Sequence, residues 1–234
     1  MLDEYKTFDF EAFFKQALEE NQPLSLPFEK SFSIDIPNHD LRFDEEPDIK
    51  IYREAFDKET EHLRSVIGPE KIDRFEHVGS TSIPGMPGMK SIDIFMLMNN
   101  FPPTNEDVLK LGEAGYLFKG FYKGTPHDTF FVKIAKNVIH DDNDPTSYAG
   151  LHIIHKDDKL INWFINFRNL ATRDPEVFNE YKQIKLQSIQ EKKTGSFMDY
   201  KTAKNSSLVS QILNKYSHLL NLPPDEFEKL TKNN

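Results

Sequence analysis

The spacing of hydrophobic positions divides the chain into segments that read as helices and strands. Apolar residues recur at helical spacing in residues 8–20, 48–67 and 104–115, which predicts amphipathic helices. Apolar or alternating runs predict strands at 72–78, 92–98, 116–122, 128–136 and 149–155. In the last third of the chain, the spacing of apolar residues predicts helices at 157–171, 174–193 and 198–217. This order of elements predicts an α/β (α+β) fold, a mixed β-sheet flanked by helices with a helical C-terminal lobe.

The first 45 residues differ in pattern from the rest of the chain. Phe10, Phe13 and Phe14 fall on one face of the first predicted helix, and residues 32–36 alternate between apolar and polar in an extended segment. We therefore expect an N-terminal appendage at 1–45 that packs through its aromatic rings. A main domain at 46–217 and a C-terminal tail at 218–234 complete the predicted organisation.

Composition and charge exclude several classes of protein. With 234 residues and 38% apolar residues, the chain can bury a sizeable core. The net charge of −9 argues against nonspecific nucleic-acid binding, which depends on Lys and Arg, but it allows a local basic pocket for a small anion. The absence of cysteine excludes disulfides, cysteine nucleophiles and thiolate metal sites.

The same composition bears on where the protein works. The N-terminal segment is acidic and lacks the basic and apolar regions of a signal peptide. No apolar run reaches the about 18–20 residues of a membrane span. We therefore expect a cytoplasmic protein with no membrane or nucleic-acid partner, and the sequence makes no prediction about its oligomeric state.

A loop rich in glycine and hydroxyl groups follows the strand predicted at 72–78. Residues 79–90 contain three glycines and two prolines in twelve positions, which predicts a loop. Gly79 allows the backbone to approach a ligand closely, and turns of this kind form anion-binding concavities. Ser80, Thr81 and Ser82 add hydroxyl groups, and Lys90 adds a positive charge. The loop is either a phosphate-binding turn or a capped connection without a ligand.

Asp93 stands in a strand that is otherwise apolar. A carboxylate in such a run is costly unless it is paired, hydrogen-bonded or bound to a metal. From residue types alone, Asp93 is either a structural acceptor of backbone hydrogen bonds or part of a ligand site.

Several segments resemble the GrpB family. The segment HVGSTSIPGMPGMKSIDIFM at 77–96 is similar to the family's signature, and GSTS-x-PG is a specific string. Further segments resemble the family's leading helix, its His-bearing strand, its FR…P…Y…K helices and its closing helix: YREAFDKETEHLRSVIG, GLHIIH, WFINFRNLATRDPEVFNEYKQIK and MDYKTAKNSSLVSQIL. The resemblance covers about residues 48–217 and implies a nucleotidyltransferase-like fold of the polymerase-beta type.

The resemblance also implies a chemistry. In that superfamily a Gly-Ser turn holds nucleotide phosphates, two carboxylates spaced Asp-x-Asp on the next strand hold divalent metal, and a third carboxylate comes from another strand. The expected cofactor is Mg²⁺ or Mn²⁺, and the expected substrates are a nucleoside triphosphate and a small-molecule acceptor. This chain departs from the pattern: with Asp93 as the second Asp the first is Ser91, and with Asp93 as the first the second is Phe95.

Other side chains are candidates to complete the site. We predict Asp93, His77 and His152 as catalytic and metal-binding residues, because a neutral imidazole serves both as a metal ligand and as a base. His152 and His155 are three residues apart, so they cannot share one face of a regular strand, and His152 matches the family's motif. Asp128, on another predicted strand, is a candidate third carboxylate.

Basic residues are predicted to bind the phosphates together with the loop. Arg168, Lys182 and Lys204 match basic positions of the family's helices. With Lys90 they are expected to converge on the turn and to form a basic pocket on an acidic protein.

Three functions are compatible with these residues. The first is a nucleotidyltransferase-like enzyme that uses a nucleoside triphosphate and a divalent metal. The second is a nucleotide- or small-anion-binding protein that has lost two-metal catalysis, which the missing carboxylate favours. The third is ATP-dependent activation of a small acid in the same pocket.

Overall fold

A computed structural model describes residues 2–25, 43–122, 125–133, 148–191, 212–223 and 225–227. The chain forms two compact units, each built from several segments. The first unit comprises residues 1–34, 53–77 and 91–158, and the second comprises residues 35–52, 78–90 and 159–234. The predicted boundaries at residues 45 and 217 stay predictions.

The first unit is built around a five-stranded mixed sheet. Its strands are β2 (Ile72–Val78), β4 (Ser91–Met98), β5 (Tyr116–Phe121), β6 (Thr129–Lys133) and β7 (Tyr148–His155). They lie in the order β2-β4-β7-β6-β5, with β4 parallel to β7 and with β6 antiparallel to both β7 and β5. The helices of this part of the chain are α1 (Leu2–Thr7), α2 (Phe10–Glu20), α3 (Ile49–Ile67) and α4 (Asn105–Glu113). The mixed sheet with helices confirms the predicted fold class.

Strand β4 lies in the interior of the sheet. Every residue of this strand is buried except Asp93, which is partly exposed. A strand with neighbours on both sides and helices over the sheet requires such an apolar run. The predicted fully buried strand is therefore confirmed, and Asp93 interrupts its burial.

The N-terminal helices pack on the edge strand β5 through aromatic rings. Phe10 and Phe14 are buried, as predicted, and their rings lie 5.9 and 5.3 Å from that of Phe118. Phe13, also predicted to be buried, is only half-buried. The backbone N–H of Phe118 donates to the hydroxyl of Tyr5 at 2.7 Å. The N-terminal segment therefore covers an edge of the sheet that would otherwise present an open backbone donor.

The helix predicted at 8–20 is α2, and α1 is a further short helix that precedes it. Asp9 separates them, because its side chain accepts from the N–H of Ala12 and caps α2. The predicted alternating segment at 32–36 lies outside the described residues. Within the described part of the chain, no helix is both long and apolar enough to cross a bilayer.

The second unit contains a two-stranded sheet and the C-terminal helices. Strands β1 (Phe43–Asp44) and β3 (Gly88–Met89) pair antiparallel, and the helices are α5 (Leu160–Arg173), α6 (Pro175–Glu191) and α7 (Ser217–Leu220). Helix α6 begins at Pro175, one residue into the helix predicted at 174–193, because the side chain of Asp174 accepts from the N–H groups of Glu176 and Val177. Most of the helix predicted at 198–217 lies outside the described residues.

A hydrophobic core holds the second unit together. It joins the loop after β2 to the C-terminal helices through buried residues: Ile83, Met86, Phe167, Leu170, Ala171, Val177, Tyr181, Ile184, Ile212, Leu220 and Phe227. The loop at 79–90 is thus anchored in the core on one side, so its polar residues have fixed positions.

Candidate functional site

The Gly-Ser turn after β2 has a fixed backbone. Gly79 has φ 77° and ψ −175°, a conformation that only glycine adopts readily. Ser80–Ser82 then form one 3₁₀ turn, in which the hydroxyl of Ser82 donates to the carbonyl of Gly79 at 2.6 Å. Thr81 is buried. Of the three predicted hydroxyl groups, Ser82 stabilises the turn and Thr81 packs inside, which leaves the half-buried Ser80 as the candidate ligand group.

Lys185 on helix α6 is the basic residue beside this turn. A Cβ placed at Gly88 would collide with the Oγ of Ser80 and lie 3.1 Å from the Nζ of Lys185. The hydroxyl and the ammonium group therefore both lie close to Gly88, and they can do so because this residue has no side chain. Lys185 is 3% exposed, and its Nζ lies 5.3 Å from the centre of the Tyr181 ring. A lysine is rarely buried to this extent without a specific role.

The sequence contained a signal for Lys185 that the motif comparison missed. Val177, Tyr181 and Lys185 are spaced four residues apart, and all three are buried. Four-residue spacing places side chains on one face of a helix. The sequence therefore indicates a lysine on the buried face of α6 at position 185, and the predicted role of Lys182 stays a prediction.

The three predicted cations that lie within the described residues have separate contacts. Arg168 on α5 donates from Nε to the side chain of Asn169 at 3.4 Å. Lys182 lies over the ring of Phe178, with its Nζ 6.0 Å from the ring centre. Lys90 is partly buried at the end of the loop, and Lys204 lies outside the described residues. Their convergence on the turn stays a prediction.

In the first unit, Asp93 projects over a glycine of the neighbouring strand. Asp93 on β4 is paired with Gly150 on β7. A Cβ at Gly150 would lie 3.1 Å from Oδ1 of Asp93 and 3.3 Å from the ring of Phe130. Both flanking positions of the Asp-x-Asp pattern, Ser91 and Phe95, are buried. The sheet thus makes room for one partly exposed carboxylate on β4 at this point.

Asp128 and His152 form a buried pair on the same face of the sheet. Nδ1 of His152 lies 3.0 and 3.3 Å from the two carboxylate oxygens of Asp128. Asp128 is 0% exposed and His152 is 3% exposed. The strand ladders align His152 with Phe95 on β4 and with Phe130 on β6, two residues along from Asp93 and Gly150. The candidate third carboxylate is therefore held by the candidate histidine.

Tyr122 packs against the imidazole of this pair. It lies directly after β5, and its ring meets that of His152 edge-on at 4.4 Å. Burial raises the pKa of the Tyr122 hydroxyl, and the charges of Asp93 and Asp128 raise it further. The Tyr122 hydroxyl is therefore a neutral donor in the field of both carboxylates.

The other predicted histidines have different environments. His77 at the end of β2 is buried and stacks on Phe56 at 4.8 Å between ring centres. His155 is partly exposed, and its Nδ1 lies 3.7 Å from a carboxylate oxygen of Asp157, so it faces away from His152 as the strand spacing predicted. Within the described ranges, no three or more acidic or histidine side chains are grouped to hold a metal. The metal-binding roles of Asp93, His77 and His152 stay predictions.

Comparisons with known proteins bear on the family. The profile of the family described as GrpB protein matches residues 46–215. The UPF0157 protein YqkA of Bacillus subtilis is 28% identical over 136 residues, which cover 58% of this chain but only 36% of YqkA. The glutamate-rich protein GrpB of Alkalihalophilus pseudofirmus is 27% identical over 167 residues, which cover 70% of this chain and 90% of that protein.

A solved structure supports the same assignment at the level of the fold. The crystal structure of the conserved protein GrpB from Enterococcus faecalis is similar with a TM-score of 0.53 and 22% identity, covering 72% of this chain and 98% of that one. The range that matches the family profile, residues 46–215, contains the Gly79-Ser80 turn, Asp93, His152 and Lys185. The chain therefore belongs to the GrpB family.

Proposed function

We propose that the chain is a nucleotidyltransferase-like enzyme that uses a nucleoside triphosphate and Mg²⁺ or Mn²⁺ to modify a small-molecule acceptor. The observation that carries this proposal is the turn after β2, where Ser80 and Lys185 approach one point above Gly88. A hydroxyl, an ammonium group and the backbone of a tight glycine turn are groups that bind phosphate. The family resemblance supports the same role, since the Gly-Ser turn of the superfamily holds nucleotide phosphates.

Asp93 is the residue that we propose to hold the divalent cation. Its carboxylate is partly exposed, and Gly150 leaves space beside Oδ1. A single carboxylate fits Mg²⁺, which keeps several waters and is usually shared with substrate phosphates. The cation would neutralise charge on the phosphates. Asp128 holds Nδ1 of His152, so this histidine would be a ligand through Nε2, and we expect the metal to bind together with the nucleotide because the phosphates supply further oxygen ligands.

The first experiment measures nucleotide binding by thermal shift with each of the four ribonucleoside triphosphates, with and without Mn²⁺. Lys185→Met removes the charge and keeps much of the side-chain length. It should weaken binding about 10- to 100-fold, since a charged hydrogen bond contributes about 1.5–3 kcal/mol. Lys182→Met on the same helix is the matched control and should bind normally. Equal binding by both variants would contradict the assignment of Lys185.

The second experiment asks whether one nucleotide uses both the turn and the carboxylate. Ser80→Ala and Asp93→Asn, alone and combined, form a double-mutant cycle for binding of ATP with Mn²⁺. A coupling energy of about 0.5 kcal/mol or more indicates a shared ligand. Asp93→Asn should also remove the dependence on Mn²⁺. Undiminished metal-dependent binding in Asp93→Asn would show that Asp93 is structural.

A second candidate function is a nucleotide-binding protein without catalysis. The observation that favours it is strand β4, where Asp93 is the one carboxylate and the positions two residues away are Ser91 and Phe95. Release of pyrophosphate decides between the two candidates. The enzyme releases pyrophosphate from a nucleoside triphosphate, whereas the binding protein shows a metal-dependent thermal shift with no release.

A further inference from the structure

The two-stranded sheet of the second unit brings a carboxylate to the Gly-Ser turn. Strands β1 and β3 pair antiparallel, with Asp44 directly opposite Gly88. The side chains of directly opposed residues in an antiparallel pair lie on the same face, with their Cβ atoms about 4.5–5.5 Å apart. Asp44 therefore stands on the face of this sheet toward which a Cβ of Gly88 would point.

The same face carries the two groups that we propose to bind phosphate. A Cβ at Gly88 would collide with the Oγ of Ser80 and would lie 3.1 Å from the Nζ of Lys185. Asp44, Ser80 and Lys185 thus surround Gly88 on one side of the sheet, and all of them belong to the second unit. A nucleotide whose phosphates contact Ser80 and Lys185 would have the carboxylate of Asp44 beside it.

The carboxylate of Asp44 is held in position and still has acceptor capacity. Its Oδ1 accepts from the N–H of Glu46 at 3.2 Å, and its Oδ2 accepts from the hydroxyl of Tyr52 at 2.9 Å. Burial raises the pKa of the Tyr52 hydroxyl and the charge of Asp44 raises it further, so this hydroxyl stays a donor. Asp44 is partly exposed. Because a carboxylate has about four acceptor positions, these two bonds leave room for a ligand donor.

A neutral hydrogen-bond donor is the ligand group that fits Asp44. A carboxylate repels phosphate, so it is suited to the part of the nucleotide next to the phosphates, which is the sugar. In dinucleotide-binding folds, an acidic residue near the phosphate turn accepts from a ribose hydroxyl in this way. Strand β1 lies outside residues 46–215, the range that matches the family profile, so the family resemblance assigns it no role.

We propose that Asp44 accepts a hydrogen bond from a ribose hydroxyl of the nucleotide and makes the site selective for ribonucleotides over deoxyribonucleotides. This inference rests on the proposed function, because it requires the phosphates to contact Ser80 and Lys185. Tyr52 is the positioning residue, since its hydroxyl holds Oδ2 of Asp44 before the ligand arrives. Selection of this kind is strong, because an analogue without the hydroxyl leaves the carboxylate desolvated and without its donor.

Affinities for ATP, 2′-deoxy-ATP and 3′-deoxy-ATP test the inference, because the three nucleotides share their phosphates and base. The unaltered protein should bind ATP about 10- to 100-fold more tightly than the analogue that lacks the contacted hydroxyl, as expected for a hydrogen bond to a charged group. Asp44→Ala should abolish this preference by weakening the binding of ATP alone. Asp44→Asn keeps an acceptor oxygen and should retain part of the preference.

Three further variants separate sugar recognition from folding and from phosphate binding. Asp44→Ala deprives the buried Tyr52 hydroxyl of its acceptor, so the double variant Asp44→Ala/Tyr52→Phe removes both partners and should recover melting temperature while still lacking the preference. Glu45→Ala removes an exposed neighbouring carboxylate and is the matched control, which should keep the preference. Lys185→Met should weaken the binding of all three nucleotides by the same factor.

The measured affinities decide as follows. Loss of the ATP preference in Asp44→Ala and in the double variant, with unchanged affinity for the deoxy analogue, supports the inference. Equal affinity of the unaltered protein for all three nucleotides, or a preference that survives in the double variant, overturns it and leaves the proposed function standing. So does a loss in Asp44→Ala that is equal for all three nucleotides or that appears only with Mn²⁺. Failure of the unaltered protein to bind any of the three, with or without Mn²⁺, overturns the proposed function and this inference with it.

Discussion

Replacing Phe14 with alanine tests whether the N-terminal helices are an integral part of the first unit. Phe14 is 1% exposed, and its ring lies 5.3 Å from that of Phe118 and 6.1 Å from that of Phe121. Truncation of a buried phenylalanine costs about 3–5 kcal/mol, because transfer energy is lost and a cavity remains. The position of the residue in a terminal segment sets a limit on that cost.

The limit is the free energy with which the segment packs on the sheet. Once α1 and α2 detach, a substitution within them costs nothing more. The segment retains Phe10 and the hydrogen bond from the N–H of Phe118 to Tyr5, worth about 0.5–1.5 kcal/mol net. We therefore expect Phe14→Ala to lose about 3 kcal/mol of the free energy of unfolding. For a chain of this length, that corresponds to a melting temperature lower by roughly 6–12 °C.

Urea unfolding measures the loss with two probes. Far-ultraviolet circular dichroism follows the whole chain, and the fluorescence of Trp163, the only tryptophan, follows the second unit. Phe13→Ala is the matched control, because Phe13 is half-buried and its ring stacks on that of Phe121 at 5.7 Å between centres. This substitution should lower the free energy of unfolding by about 1 kcal/mol. If the free energy of unfolding of Phe14→Ala lies within about 0.5 kcal/mol of that of the unaltered protein, the N-terminal segment is not packed on the sheet in solution and the reasoning fails.

Three further substitutions have expected outcomes. Burial lowers the pKa of Lys119 to about 8, so the unfolded chain binds more protons than the folded protein between pH 8 and 10.5. Lys119→Met should therefore raise the free energy of unfolding by about 1–2 kcal/mol below pH 8. In urea titrations this gain should shrink as the pH rises from 8 to 10.5. Gly79→Ala forces a side chain into φ 77° and should cost about 1–3 kcal/mol in melting experiments. Glu59→Gln weakens contacts of 2.8 Å to both Tyr116 and Lys133, so about 1–3 kcal/mol should be lost in urea unfolding; an unchanged midpoint would show that these contacts are not formed in solution.

The position of Asp93 was accessible from the sequence, and the pairing of Asp128 was not. An apolar run of eight residues bounded by a glycine-rich loop fixes a buried strand, and the one carboxylate within it is then conspicuous. Strand periodicity also placed His152 and His155 on opposite faces. The contact between Asp128 and His152 joins residues 24 positions apart through the register of β6 against β7, which local spacing does not encode.

Lys185 is a different case, because the spacing of residues along α6 already indicates that this lysine is buried. Motif comparison favoured Lys182, whereas helical spacing places Lys185 in line with Val177 and Tyr181. A lysine on an apolar helix face is costly to bury, so its presence there is informative. The proximity to Ser80, by contrast, depends on how the loop at 79–90 packs on α6 and follows only from the structure.

The missing carboxylate of the Asp-x-Asp pattern has a physical explanation in strand β4. Phe95 is 0% exposed and stacks flat on His152, so a carboxylate at position 95 would lose the stacking contact and would be buried near the charge of Asp128. Like charges that approach in a buried site raise the free energy of the ionised form. The ring of Phe95 therefore occupies a position at which the resembled pattern has a carboxylate, and it packs flat against the imidazole that contacts Asp128.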